Sequence, residues 1–282
     1  MSASEGQPEA WGPRLQPLTA MAPAACRALR GVAFDVDDTV TADGRLELEA
    51  YDALWRLARA GLRLIALTGR PLGWADVVAR QWPVDVAVGE NGAGWVYRAG
   101  PASAQFIEGY FDPPEVRADQ QRRLAALCTE VARTLPDVLL ASDQRARRCD
   151  VAFDVGETAA IAPATLARLQ AAIEAAGARC SVSSVHAHAV FGTWDKARGL
   201  VRAAAEALGD DVAADRARWM FVGDSGNDAA AFAYFPLSVG VANVRAHLPR
   251  LPVPPAFVTD APRGAGFAEA ASWLLRHRAG AS

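Results

Sequence analysis

Cysteine is scarce. Four residues in 282, Cys26, Cys128, Cys149 and Cys180, are widely spaced and form no C-x-x-C pair. In a chain of this length that pattern speaks against a disulfide framework and reads as the reduced thiols of a cytoplasmic protein. Long apolar runs are also missing, and none reaches the ~18 residues of a membrane-span candidate. Positive charge is not in excess. Lys and Arg total 29 against 32 Asp and Glu, a net charge of −3, which argues against a nucleic-acid binder held by bulk charge. No G-x-G-x-x-G follows the first candidate strand, which disfavours a nucleotide-binding dehydrogenase. There is no internal repeat and no coiled-coil pattern. The opening residues, rich in Ala, Pro, Gly and Ser, lack the basic start and continuous apolar stretch of a signal peptide. Residues 1–29 are therefore expected to form a flexible leader, with Trp11, Leu15 and Leu18 available to pack on the body and Met21 as an alternative start.

What remains is ample for a core, since 51% of the residues are hydrophobic and the length suits one or two domains. Three short apolar runs end in polar residues: Gly31 to Phe34 before Asp35, Leu62 to Leu67 before Thr68-Gly69-Arg70, and Trp219 to Val222 before Gly223-Asp224. Continuous apolar character suits strands buried on both faces, as in parallel sheets. Helical patterns separate the runs. Leu48, Tyr51, Trp55 and Ala58 share one face with Gly61 as the stop, and Thr193 is placed to cap a helix carrying Leu200, Ala204 and Leu208 inward before Gly209. The expected fold is α/β: a doubly wound, Rossmann-like parallel sheet whose ligands bind beyond the strand carboxyl ends. Between them lies a different pattern. Short strand candidates at Trp95–Tyr97, Gln105–Ile107, Val138–Ala141, Val151–Val155 and Cys180–Phe191 alternate with two helices, one carrying Leu124, Leu127, Val131 and Leu135, the other Leu166, Leu169 and Ile173. Residues 92–191 are expected as an inserted α+β domain, with 30–91 and 192–278 as the discontinuous core.

The stretch Asp35-Val-Asp37-Asp38-Thr39 sets three acids at a strand end. Two carboxylates about 4 Å apart repel by roughly 4 kcal/mol at an effective dielectric of about 20, and a hard divalent cation relieves them. Asp35 and Asp37 are accordingly read as a metal-assisted catalytic pair. Gly223-Asp224-Ser225-Gly226-Asn227-Asp228 repeats the arrangement: a strand-end carboxylate at Asp224, with Asn227 and Asp228 on the following turn. Alone it is equally an Asx-rich helix cap; beside the first cluster the metal reading gains. Thr68 offers a hydroxyl to a phosphate oxygen at a helix start that favours an anion, and Lys196 supplies an ammonium.

In their order these segments resemble the haloacid dehalogenase superfamily of phosphohydrolases. The resemblance spans roughly residues 31–278. The insert, entered through Glu90-Asn91-Gly92-Ala93, resembles the α/β cap of the branch that holds Cof-type enzymes and sugar-phosphate phosphatases. Asp38 stands where glycine is common. The resemblance implies a Mg2+-dependent phosphomonoesterase for a small phosphorylated metabolite, a sugar phosphate foremost. Asp35 would attack phosphorus to give an aspartyl-phosphate, and Asp37 would act as acid and then base. Thr68 and Lys196 would hold the phosphoryl group. The metal would be held by Asp35, the Asp37 carbonyl and Asp224, with Asp228 and Asn227 ordering its surroundings. Gly69, Arg70 and Asn91 are further substrate-binding candidates at the core–cap junction. On the cap, His186 and His188 point to one strand face and are read either as substrate contacts, as a zinc pair lacking a third ligand, or by default as an ordinary surface pair. Arg145, Arg147 and Arg148 are either a solvated edge or, through Arg148 foremost, a grip on a second anionic group. Trp95 and Trp194 are read as packing before sugar stacking. A phosphomutase on the same scaffold, or a silent phosphometabolite-binding protein, are the rival readings. The oligomeric state is not legible.

Overall fold

The computed structural model describes residues 14–100, 103–158, 160–182 and 185–278. The strands run β1 Gln16–Pro17, β2 Gly31–Asp35, β3 Thr41–Ala42, β4 Arg45–Leu46, β5 Arg63–Leu67, β6 Val86–Gly89, β7 Gly94–Arg98, β8 Phe106–Tyr110, β9 Val151–Asp154, β10 Arg179–Val182, β11 His186–Val190, β12 Trp219–Gly223, β13 Leu237–Gly240 and β14 Phe257–Val258. The helices are α1 Pro23–Ala28, α2 Leu48–Arg59, α3 Leu72–Gln81, α4 Pro114–Thr134, α5 Pro163–Ala175, α6 Lys196–Leu208, α7 Ala229–Tyr234 and α8 Arg263–Arg278.

Nine strands form one sheet in the order β1-β14-β13-β12-β2-β5-β6-β7-β8. Its pairs are parallel from β1 through β6. Each of β2, β6 and β12 is buried along its whole length, as continuous apolar runs require when helices cover both faces. One face packs on α1, α2, α3 and α8 through Leu54, Leu57, Ala75 and Phe267; the other packs on α6 and α7 through Leu200, Ala204 and Phe232. The α/β class expected from the sequence is what forms. Among the described residues no helix is long and apolar enough to cross a membrane.

Several local expectations are corrected. Residues 14–29 are not a loose leader: β1 pairs with β14, and Leu18, Met21, Cys26 and Leu29 are buried in the main core. An Ala- and Pro-rich composition hid their inward spacing. Residues 1–13, Trp11 among them, lie outside the described residues. The buried face of α2 is Ala50, Ala53, Leu54 and Leu57, while Leu48 is 82% and Trp55 39% exposed. Both sets have helical spacing, and the one carrying small alanines seats against α8. The cap of α6 is Asp195, whose side chain accepts from the Arg198 N–H, and not Thr193.

β7 and β8, expected in the insert, extend the large sheet antiparallel from β6. A strand emerging at a sheet edge needs only a short turn to add there, which moves the start of the separate unit past Tyr110. That unit has its own sheet, β10-β11-β9, all antiparallel, with α4 and α5 burying Leu124, Leu127, Val131, Leu169 and Ile173 against it. The Cys180–Phe191 stretch is a hairpin of two strands rather than one, and the Val138–Ala141 stretch reaches only a single bridge, Leu140 to Phe153.

A buried carboxylate ties the two units together. Glu90, at the exit of β6, is fully buried and has a left-handed φ of 50°. Its Oε1 accepts from the Leu72 and Arg148 N–H groups at 3.0 and 2.8 Å, and its Oε2 accepts from Cys149 and Asp150. Burial, and after it the Asp150 charge, raises its pKa to about 7 against the pull of those donors. Glu90→Ala orphans four N–H groups at once, and the three buried ones, of Leu72, Cys149 and Asp150, each cost about 1–3 kcal/mol when left unpaired. Denaturant titration of this variant is expected to show at least about 3 kcal/mol of lost stability; a loss under about 1 kcal/mol would mean that the junction does not depend on Glu90.

Candidate active site

Strand register assembles the site. Asp35 is aligned with Leu67 of β5, so Thr68 follows one residue beyond; Phe34 is aligned with Val222 of β12, which sets Asp224 just past the same edge. Lys196 enters from the first turn of α6. Gly92, with φ of +110°, lies so close to Asp195 and Gly199 that a side chain there would collide with backbone, and this close approach brings α6 up to the loop carrying Asn91.

The centre is an ionic cluster. Lys196 is 1% exposed, and its Nζ donates to Asp35 Oδ1 and Asp228 Oδ1 at 2.6 Å each. Asp35, Asp224 and Asp228 present carboxylate oxygens within 4.8 Å of one another. Burial raises the Asp35 pKa well above the usual carboxylate range, with Asp228 adding to it and Lys196 opposing. Burial and then Asp228 push Asp224 up to about 7. Burial alone would lower the Lys196 pKa, but Asp228 and Asp35 more than reverse it and hold the ammonium charged. Three carboxylates against one ammonium leave a net negative pocket of hard oxygens, a donor set that fits Mg2+. Asp228 is already committed: its Oδ2 accepts from the Asp224 and Ser225 N–H groups at 2.8 and 3.0 Å, in a reciprocal capping box with Ser225.

Asp37, next to this cluster, is held by a second set of groups. Its Oδ2 accepts from Thr68 Oγ1 and its Oδ1 from Arg70 Nε, both at 3.0 Å. Thr68 Oγ1 also accepts from the Arg70 N–H at 2.9 Å. Asn227 Nδ2 donates to Asn91 Oδ1 at 3.3 Å, joining the loop after β12 to the loop after β6. Gly69 faces Asn91 so closely that a Cβ would lie 3.2 Å from Asn91 Oδ1. Asp38 has φ of 53°, which explains why glycine is at home in that position.

The insert's candidates behave differently from expectation. His186 and His188 are buried, not an exposed pair. His186 Nε2 pairs with Glu157 Oε2 at 3.0 Å and His188 Nδ1 with Asp150 Oδ2 at 2.9 Å, so each ring already has a carboxylate partner, and neither belongs to the acidic cluster. Arg147 is buried between Asp143 and Asp150 and donates to the Gly69 carbonyl at 3.0 Å; its charge is spent inside the protein rather than offered to a second anion. Arg145 and Arg148 are exposed, and Arg148 meets the junction through its backbone. Trp95 is buried in the core, and Trp194 packs beside Phe111 and donates to the Glu90 carbonyl at 3.2 Å.

Two site residues escaped the sequence reading. Asn243 Nδ2 donates to Asp224 Oδ2 at 2.8 Å and to the Asp38 carbonyl at 3.0 Å. It follows the apolar run of β13, so the same signal that marked Asp35 and Asp224 was present. Glu157 accepts from Arg70 Nη1 at 2.9 Å; a loop acid 87 residues away carries no such signal.

Comparison with known proteins bears on the fold and the family. The family model described as sucrose-6F-phosphate phosphohydrolase matches residues 30–274. No curated protein matches the chain significantly in sequence. Among solved structures, one from Thermoplasma acidophilum aligns with TM-score 0.67 at 18% identity over 88% of this chain and 98% of that one. The sucrose-phosphatase of Synechocystis sp. PCC6803, in complex with sucrose and phosphate, aligns with TM-score 0.61 at 13% identity over 87% and 98%. A phosphatase of the haloalkanoate (HAD) superfamily from Bacteroides thetaiotaomicron aligns with TM-score 0.57 at 17% identity over 92% and 98%. At these identities the structures speak for the fold, and the match along the sequence speaks for the family. The chain belongs to the sucrose-6F-phosphate phosphohydrolase family of haloacid dehalogenase-type hydrolases and is a phosphatase.

Proposed function

We propose that this protein is a Mg2+-dependent phosphomonoesterase for a sugar phosphate, with sucrose 6F-phosphate the first substrate to try because the matching family carries that name and the Synechocystis relative is a sucrose-phosphatase. The observation that carries the reading is the buried cluster of Asp35, Lys196, Asp224 and Asp228 directly beside Asp37 and Thr68. Asp35, Asp224 and the Asp37 carbonyl are the groups that would hold Mg2+. When bound, the metal would offset the charge of the phosphate so that a carboxylate can approach it.

The remaining steps belong to the chain. An Asp35 oxygen forms a bond to phosphorus as the ester bond breaks. Asp37 gives a proton to the departing sugar oxygen, then takes one from the water that splits the aspartyl-phosphate and releases phosphate. Lys196 and Thr68 steady the transferring group, Asp228 orients Lys196, and Asn227 and Asn91 fix the loops around it. Gly69 and Arg70 follow Thr68 at this edge, where Arg70 meets Asp37. The antiparallel sheet carrying His186 and His188, with α4 and α5 behind it, serves as a cap of about residues 111–191. Four free cysteines fit a reducing, cytoplasmic setting.

Asn243→Ala tests the metal side of this reading. Without its amide, Asp224 Oδ2 loses its aim, and partners of this kind are worth about 10–100-fold in metal affinity. The Mg2+ concentration giving half-maximal phosphate release should rise by at least about tenfold, with the melting temperature little changed; an unchanged Mg2+ requirement would remove Asp224 from the metal's ligands.

A further inference from the structure

Asp37 is held by the core, but the group that holds it is itself held by the cap. Arg70 Nε donates to Asp37 Oδ1 at 3.0 Å while its Nη1 donates to Glu157 Oε1 at 2.9 Å. The other Glu157 oxygen is taken by His186 Nε2 at 3.0 Å, from a buried position on β11. The backbone under Glu157 is fixed as well, since Asp154 Oδ1 accepts from the Gly156 and Glu157 N–H groups at 3.0 and 2.8 Å. Glu157 is thus anchored on one side by β9, on the other by β11, and aims one oxygen at Arg70.

We propose that Glu157 is a positioning residue for the proton transfers of Asp37, acting through Arg70; the proposal rests on the phosphomonoesterase reading above. The guanidinium is a rigid planar fork. With one arm tied to Glu157, it offers Asp37 a single N–H on Oδ1, while Thr68 holds Oδ2. That fixes the carboxyl in orientation through one hydrogen bond on each oxygen, rather than through a bidentate Arg pair that would take both. Among the described residues, the other acids paired with Arg70 are Asp37 itself and Asp143, whose Oδ2 lies 3.6 Å from Nη1. Without Glu157 the fork is free to turn, and Asp37 loses its aim at the leaving oxygen.

Leaving-group chemistry separates this role from others. A sugar alkoxide needs a proton to depart; a 4-nitrophenolate does not. The experiment compares kcat/KM for a sugar phosphate and for 4-nitrophenyl phosphate in wild type, Glu157→Ala and Glu157→Gln, with Mg2+ present. This constant covers the chemistry through ester cleavage and not the later hydrolysis of the intermediate. Displacing a positioned acid costs about 10–100-fold. Glu157→Ala should lose about that much on the sugar phosphate and under about threefold on the aryl ester. Glu157→Gln, which keeps an oxygen for Arg70, should recover most of the loss. The Glu157 side chain is 25% exposed, so both variants should fold, and their melting curves check this.

Equal losses on both esters would mean a structural role and overturn the proposal. A raised KM for the sugar phosphate alone, with kcat intact, would make Glu157 a sugar contact and overturn it too. Wild-type protein that hydrolyses neither ester would bring down the phosphomonoesterase reading and this proposal with it, whereas hydrolysis with no change in the variants would bring down the proposal alone.

Discussion

Asp35→Asn is expected to lower Mg2+-dependent phosphate release by at least about 10⁴-fold, the scale on which a covalent nucleophile is missed, while the protein stays folded. The two halves of that expectation come from one geometry. Asp35 is the strand-end carboxylate against which Lys196 is held at 2.6 Å, and asparagine keeps the shape and an oxygen for that contact but cannot attack phosphorus. In stability the change runs the other way. Burial raises the Asp35 pKa, with Asp228 adding to it. A carboxyl whose folded pKa is raised contributes stability that is complete below its unfolded value of about 3.9 and is lost as pH rises through the folded value. Asp224, pushed up to about 7, behaves likewise. In EDTA, wild-type melting temperature should therefore fall as pH rises from about 5 to 8. The asparagine variant, with one acid fewer, should fall less and melt higher at pH 8. An Asp35→Asn protein that still turns over, or that melts below wild type at pH 8 in EDTA, would contradict the account.

Lys196→Met is expected to cost the most stability of any single change at the site. Methionine fills the space, but the one ammonium between Asp35 and Asp228 is gone, and breaking a buried ion pair from one side costs about 3–5 kcal/mol. For a domain of this size, each 1 kcal/mol moves the melting temperature by about 2–4 °C, so a fall of about 6–20 °C is expected at pH 8. The deficit should shrink at lower pH, where Asp35 and Asp224 take up protons, and on adding Mg2+, which replaces part of the missing charge. Turnover should be lost under all of these conditions. A melting temperature that is unchanged at pH 8 would mean that the cluster does not depend on Lys196 for its charge balance.

What the sequence made legible follows from how strand ends work. Asp35, Thr68 and Asp224 each close a continuous apolar run, and a parallel sheet brings such ends to one edge with little freedom. Lys196 and Asp228 follow because each stands within a turn of a recognisable boundary. The insert's polar residues were not legible in the same way. His186, His188 and Arg147 look like surface groups by type, but each is buried against an acid: Glu157 for His186 and Asp150 for His188, both distant in the chain, and the nearby Asp143 and Asp150 for Arg147. The two long-range histidine pairings leave no periodic trace. β7 and β8 read correctly as strands, but local pattern does not say which sheet a strand joins. The α2 face was misread because Leu and Trp outweigh Ala in any hydrophobic pattern, whereas close helix packing selects the alanines.

The most direct test of the central claim is phosphate release from sucrose 6F-phosphate and a panel of sugar monophosphates, with Mg2+ and then with EDTA. The account expects free phosphate in Mg2+, none in EDTA, and a ranking led by one sugar phosphate. Isomerised sugar phosphate without free phosphate would instead make the protein a phosphomutase, and no reaction from folded protein supplied with Mg2+ would make it a binding protein.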